Sequence, residues 1–259
     1  MDRETLAASV AGMAARLRIQ LSNLTAASQM LERTATGEKA GAYLAVLNQS
    51  ICRMLRSVGQ MELLDRLTDE DEIRAFPAPV DLGPWSAQLA ARARGVLGGA
   101  GVSLSYQGPE RLLAHVDQDL AEQMVLSLVA CAARPGGEVS ITLTQQEDSA
   151  CFTVRGPGPA RPGEELIQRL SAPGQEELAE GWELPLARQI AELHAGSLVE
   201  QRAPGERLSL VALLPLGLGR PTGRLESPAP AYDPGGFDEA LVAFSELLPP
   251  ESFRPEELG

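Results

Sequence analysis

Two stretches near the start of the chain repeat apolar residues at alternating steps of four and three. Over residues 3–33 the repeat runs Leu6, Val10, Met13, Leu17, Gln20, Leu24, Ala27 and Leu31, with Gln20 the one polar member. Over 39–67 it runs Ala40, Leu44, Leu47, Ile51, Met54, Val58 and Met61. Steps averaging three and a half residues keep one stripe of a helix turned toward a partner helix. The TATGEK segment between the stretches supplies a glycine turn, so the two helices fold back on each other as an antiparallel hairpin. Flanking Val46, Leu55 and Leu63 widen the apolar face.

A lone hairpin leaves half of that seam in water. Each such side chain is worth roughly 1.5–3 kcal/mol on burial. Two hairpins closing into a four-helix bundle would cover both seams, which predicts a homodimer. Its interface would hold Leu6, Val10, Met13, Leu17, Leu24, Leu47, Ile51, Met54 and Val58. The alternative is that the hairpin packs on its own C-terminal domain.

The pattern changes after residue 67. TDEDEIRAFPAP is acidic and then proline-rich, and 68–81 reads as a linker. GPWSAQLAARARGVL (83–97) reads as a helix with Pro84 in its first turn. VSLSYQ (102–107) and RLLAHV (111–116) read as short strands around a Gly-Pro turn. Asp117 caps a helix over 118–133 whose apolar face holds Leu120, Met124, Val125, Leu128, Val129 and Ala132. EVSITLTQQ (138–146) and SACFTVRG (149–156) alternate apolar and polar residues about a polar turn, the pattern of an antiparallel hairpin. A helix over 183–195 then precedes two closing strands, SLVEQRA and RLSLVALLPL. The sum for 82–216 is a two-layer α/β sandwich, and for the whole chain an α+β fold. Residues 217–259 form a proline- and glycine-rich tail with one short amphipathic helix, 237–248.

Charge and cysteine content narrow the function. A net charge of −13 with no offsetting Lys/Arg cluster repels nucleic acid and anionic lipid. Cys52, Cys131 and Cys151 are odd in number and far apart, which excludes a disulfide framework and a Cys-x-x-Cys metal site. No apolar run is long enough to span a bilayer, and MDRETLAASV lacks the pattern of a signal peptide. The expectation is a cytoplasmic, reduced protein with no membrane contact and no metal. The two histidines are His115, read as a strand residue facing solvent or the linker with an alternative phosphoacceptor as the lesser reading, and His194, read as a partly cationic ring at a helix end.

Residues 181–196 carry the closest motif match. GWELPL followed by ARQIAELHAG resembles the Gly-x-Gly-Leu-Gly-Leu loop and following helix of the sensor histidine kinases. Gly181, Leu184, Leu186, Leu193, His194 and Gly196 fit, while Glu183 and Pro185 replace two glycines. With the order of hairpin, linker and sandwich, the resemblance covers about residues 3–216. It implies a dimerisation and phosphotransfer hairpin (1–67) and an ATP-binding sandwich of the gyrase/Hsp90/kinase type (82–216).

The family's functional positions are altered throughout. LRIQL (17–21) resembles the segment after the phospho-accepting histidine, whose own position holds Ala15. Two magnesium- and phosphate-binding asparagines become Ser127 and Cys131, with Arg134 where the family has a basic residue. The Asp-x-Gly-x-Gly box becomes Gly156, Pro157, Gly158, Pro159 and Ala160, without the adenine-binding aspartate. In the loop, Glu183 brings negative charge toward a polyphosphate, and Pro185 removes an N–H donor. The resemblance therefore implies a pseudokinase: a binding protein with no catalytic residue and no cofactor. Its partners would be a response regulator or a true histidine kinase. ATP and Mg²⁺ enter only under the alternative of a kinase active through non-standard residues.

Overall fold

The computed structural model describes residues 38–68, 75–158, 183–202, 207–217 and 238–254, with nine helical positions between 17 and 31. The elements are α1 (Glu38–Thr68), β1 (Ala78–Asp81), α2 (Leu82–Leu97), β2 (Ser103–Gln107), β3 (Leu113–Val116) and α3 (Gln118–Ala132). They continue with β4 (Glu138–Gln146), β5 (Ser149–Gly156), α4 (Glu183–Leu193), β6 (Ser197–Gln201), β7 (Leu208–Pro215) and α5 (Glu239–Ala243). Short 3₁₀ turns occupy Gly98–Ala100 and Pro250–Phe253.

Five strands form one sheet in the order β2-β4-β5-β7-β6, parallel between β2 and β4 and antiparallel elsewhere. Its register explains the core. Ile141, Val154 and Leu210 lie side by side in one row, and Leu143, Phe152 and Ala212 in the next but one, all of them buried. Because side chains alternate across a strand, these rows share one face. Leu120, Met124, Val125, Leu128 and Val129 of α3, with Leu186 and Ile190 of α4, join the same apolar cluster. Trp85 of α2 meets Phe152 edge-on, with centroids 6.4 Å apart. The result is a sheet with helices packed on it, as the alternation predicts.

Capping sets the helix starts. Asp81 accepts from the Gly83 N–H at 3.3 Å and the Leu112 N–H at 2.9 Å, so it caps α2 and holds β3 beside it. Asp117 accepts from the Leu120 N–H at 3.2 Å and from the Phe76 N–H at 3.0 Å. Its own N–H donates to His194 Nε2 at 3.0 Å, while His194 Nδ1 lies 2.8 Å from the Ile190 carbonyl. Through these two contacts His194 clamps the start of α3 to the end of α4.

The structure departs from the sequence pattern at two further places. The stretch read as linker up to residue 81 ends in β1, which pairs antiparallel with β3 from Ala78↔Val116 to Asp81↔Leu113. The strands flanking the Gly-Pro turn therefore do not pair with each other; β2 goes to β4 instead. The second concerns the C-terminal segment. In place of a helix over 237–248, α5 has five residues and gives way to turns. Phe244, Leu248 and Phe253 are buried, packed into the main cluster.

Phe152 is fully buried at the centre of the sheet. Phe152→Ala should cost about 3–5 kcal/mol in denaturant unfolding. Gly156→Ala should also destabilise, by about 1–3 kcal/mol, because a Cβ there would run into the Ala132 carbonyl oxygen and carbon at the end of α3.

Candidate functional site

The residues singled out at the motif positions converge on the ends of α3 and α4. Ser127 and Cys131 stand one turn apart on α3, both half-buried. Arg134 follows the helix end and accepts the Gly137 N–H at its carbonyl, 2.9 Å. Gly156 ends β5 against α3, and the Gly158 N–H donates to the Ala132 carbonyl at 3.0 Å. Glu183 opens α4 and is buried, whereas Pro185 in the same turn is exposed. Gly181 and Ala15 lie outside the described residues, as do Leu6, Val10 and Met13.

The motif glycines have a packing role. Gly156 lets β5 close on α3, and a Cβ on Gly196 would strike the Leu213 carbonyl oxygen of β7. Both are positions where only the absence of a side chain permits the approach.

Glu183 has an unexpected companion. Its Oε1 takes the Arg56 Nη2 of α1 in an ion pair, with each side chain 11% exposed, and Gln60 Nε2 lies 3.5 Å from the same oxygen. A carboxylate that close to water exclusion needs a cation, and α1 supplies it. Cys131 sits within this field. Burial pushes its thiol above the ordinary value, the Glu183 carboxylate adds to that, Arg56 opposes it, and Glu200 adds a smaller contribution. A thiol held protonated this way is a poor nucleophile.

Sequence reading missed Arg56 and Gln60. The only signal was that Gln49, Arg53, Arg56 and Gln60 recur at three- and four-residue steps on α1. That stripe runs along a face other than the apolar seam. The seam itself is incompletely covered: Leu17, Leu24, Leu47, Ile51 and Met54 are half-buried, and Val58 is 42% exposed. His115 sits half-buried on β3, its N–H donating to the Leu216 carbonyl at 2.9 Å. Among the described residues, no group of three His, Cys, Asp or Glu side chains is placed to hold a metal, and no helix is long and apolar enough to cross a membrane.

Residues 116–218 match the family of histidine kinase-, DNA gyrase B- and HSP90-like ATPases. This segment is a domain of that family. Solved structures place it in a wider frame. The chain is similar to the Acinetobacter baumannii histidine kinase AdeS at 14% identity and a TM-score of 0.58, over 77% of this chain and 96% of that one. It is similar to the histidine kinase ThkA, solved in complex with the response regulator TrrA, at 16% identity and a TM-score of 0.58, over 86% of this chain and 65% of that one. For full-length ShkA in complex with AMPPNP the values are 18% and 0.54, over 84% of this chain and 46% of that one. At these identities the likeness is one of fold: a histidine-kinase core with an ATPase-type domain behind N-terminal helices.

The raised Cys131 thiol has a consequence for alkaline stability. A group whose native value is raised above its ordinary 9.0 gives stability that is complete below that pH and is lost as pH rises past it. Between about pH 9 and 10.5 the wild-type protein should therefore lose more unfolding free energy than Cys131→Ala. Parallel curves in urea titrations would contradict this.

Proposed function

We propose that this chain is a histidine-kinase-like signalling protein that works by binding, with ATP binding and autophosphorylation lost or strongly weakened. The observation that carries this reading is the buried Glu183 carboxylate at the first turn of α4, already neutralised by Arg56 of the same chain. A helix start is a natural seat for phosphate because its free N–H groups and dipole favour anions. A fixed carboxylate there competes with a phosphate for the same field. Cys131 adds to the mismatch, since Mg²⁺ prefers oxygen ligands in octahedral geometry and a half-buried, protonated thiol offers none, which leaves the Ser127 hydroxyl alone on that face. Among the described residues, those at the motif positions do not fit Mg²⁺–ATP. Ala15, where the resemblance expects the phospho-accepting histidine, has no group that could accept a phosphoryl.

What remains for function is surface. Leu21, Met30, Leu44, Leu55 and Val58 are exposed large apolar residues on the N-terminal helices. Covering each is worth roughly 1 kcal/mol or more. A second copy closing a four-helix bundle is the occupant proposed for them, with a response regulator or a true histidine kinase as the signalling partner. The ThkA complex with TrrA is the precedent for the first of these.

Two measurements test the reading. A fluorescent ATP analogue should show no Mg²⁺-dependent binding in the micromolar range, and labelled ATP should leave no acid-labile phosphate on the protein. Micromolar binding with phosphate transfer would favour the alternative, a kinase working through non-standard residues. For the dimer, light scattering should return twice 27.5 kDa; a monomer mass at high concentration would remove that part.

A further inference from the structure

Residues 238–254 lie between two parts of the molecule and touch both. On one side, Asn48 Nδ2 of α1 donates to the Phe253 carbonyl at 3.0 Å, Gln49 Nε2 to the Leu248 carbonyl at 2.8 Å and Arg53 Nε to the Ser245 carbonyl at 3.2 Å. Arg53 also faces the Glu246 carboxylate at 3.7 Å. On the other side, Arg92 of α2, which pairs with Glu122 of α3, has Asp238 at 3.8 Å. Leu248 and the Ser252 hydroxyl lie against Gly99, just past the end of α2. Between these polar ends, Phe244, Leu248 and Phe253 are buried in one cluster with Cys52 of α1 and the apolar residues of α2 and α3.

Two features set this segment apart from the core. It holds five residues of α-helix, with the rest in turns, so it has little order of its own to lose. Its bonds to α1 run from side chains to backbone carbonyls, which can be exchanged for water without breaking any helix or sheet ladder. Phe244, Leu248 and Phe253 anchor it by burial, but it shares no ladder with the sheet, so it can open separately from it.

We propose that residues 238–254 are an intramolecular strap that docks α1 on the ATPase-type domain. Its release frees α1 from that domain while the sandwich stays folded. The docked state brings Arg56 to Glu183; the released state separates them and uncovers the Gln49–Cys52–Arg56 side of α1. The strap thus decides whether that side of the helix faces its own sandwich or is open to another molecule. This goes beyond the binding role proposed above and stands whether or not the domain takes nucleotide.

The native cysteines report on it in the full chain. Cys52 lies on the strapped side of α1 and is fully buried, and Cys151 is buried within β5. Cys52 should alkylate with iodoacetamide about tenfold faster in Phe253→Asp than in wild type, as local opening predicts, with Cys151 unchanged. A paired variant, Asn48→Ala with Gln49→Ala, removes two bonds to the strap without touching its core side chains and should give the same selective rise. Each rate is read by mass spectrometry of the digested protein. The proposal is overturned if Cys52 keeps its wild-type rate in both variants. It is equally overturned if Cys52 and Cys151 accelerate together, because the segment would then unfold only with the sandwich.

Discussion

Everything in the sandwich depends on one face of the β4-β5-β7 sheet staying dry. The rows Ile141–Val154–Leu210 and Leu143–Phe152–Ala212 form a surface that α3 and α4 must cover, and both helices carry apolar stripes that match it. Once they are seated, their ends are fixed in space, and so are the residues at those ends. Asp117 and His194 lock the start of α3 to the end of α4. Gly156 and Gly196 allow the strands and helices to meet at van der Waals distance. The scaffold of this ATPase-type domain is thus held by packing among its own side chains.

That packing bears on how motif matches are read. Gly156, His194 and Gly196 all lie at family positions, and each has a structural duty that would preserve it in a domain with no ligand. Glu183 is different. A buried carboxylate at a helix start requires a cation, and Arg56 supplies it from a different part of the chain.

Local pattern made much of the sandwich legible. Asp117 announces α3, strict alternation announces β4 and β5, and the spacing of Leu186, Ile190 and Leu193 announces α4. The failures share a physical cause, in that nothing nearby in sequence encodes them. β1 is four residues long with Pro79 inside it, and it is a strand only because β3 lies alongside. The parallel pairing of β2 with β4 joins strands that have β3 and α3 between them in the chain. Arg56 meets Glu183 across 127 positions, and no periodicity reaches that far. The 237–248 stretch has a convincing helical face, but Phe244, Leu248 and Phe253 are placed by the pocket they fill, which overrides the local preference.

The bonds between α1 and the C-terminal segment span 192 to 205 positions. On a ribosome adding residues at about 5–20 per second, α1 emerges roughly 10–40 s before the carbonyls it will bind. During that interval the carbonyls that Gln49 and Arg53 will bind do not yet exist. α1 is thus made well before the segment that completes its surroundings, so the timing of translation is itself a condition on how this molecule assembles.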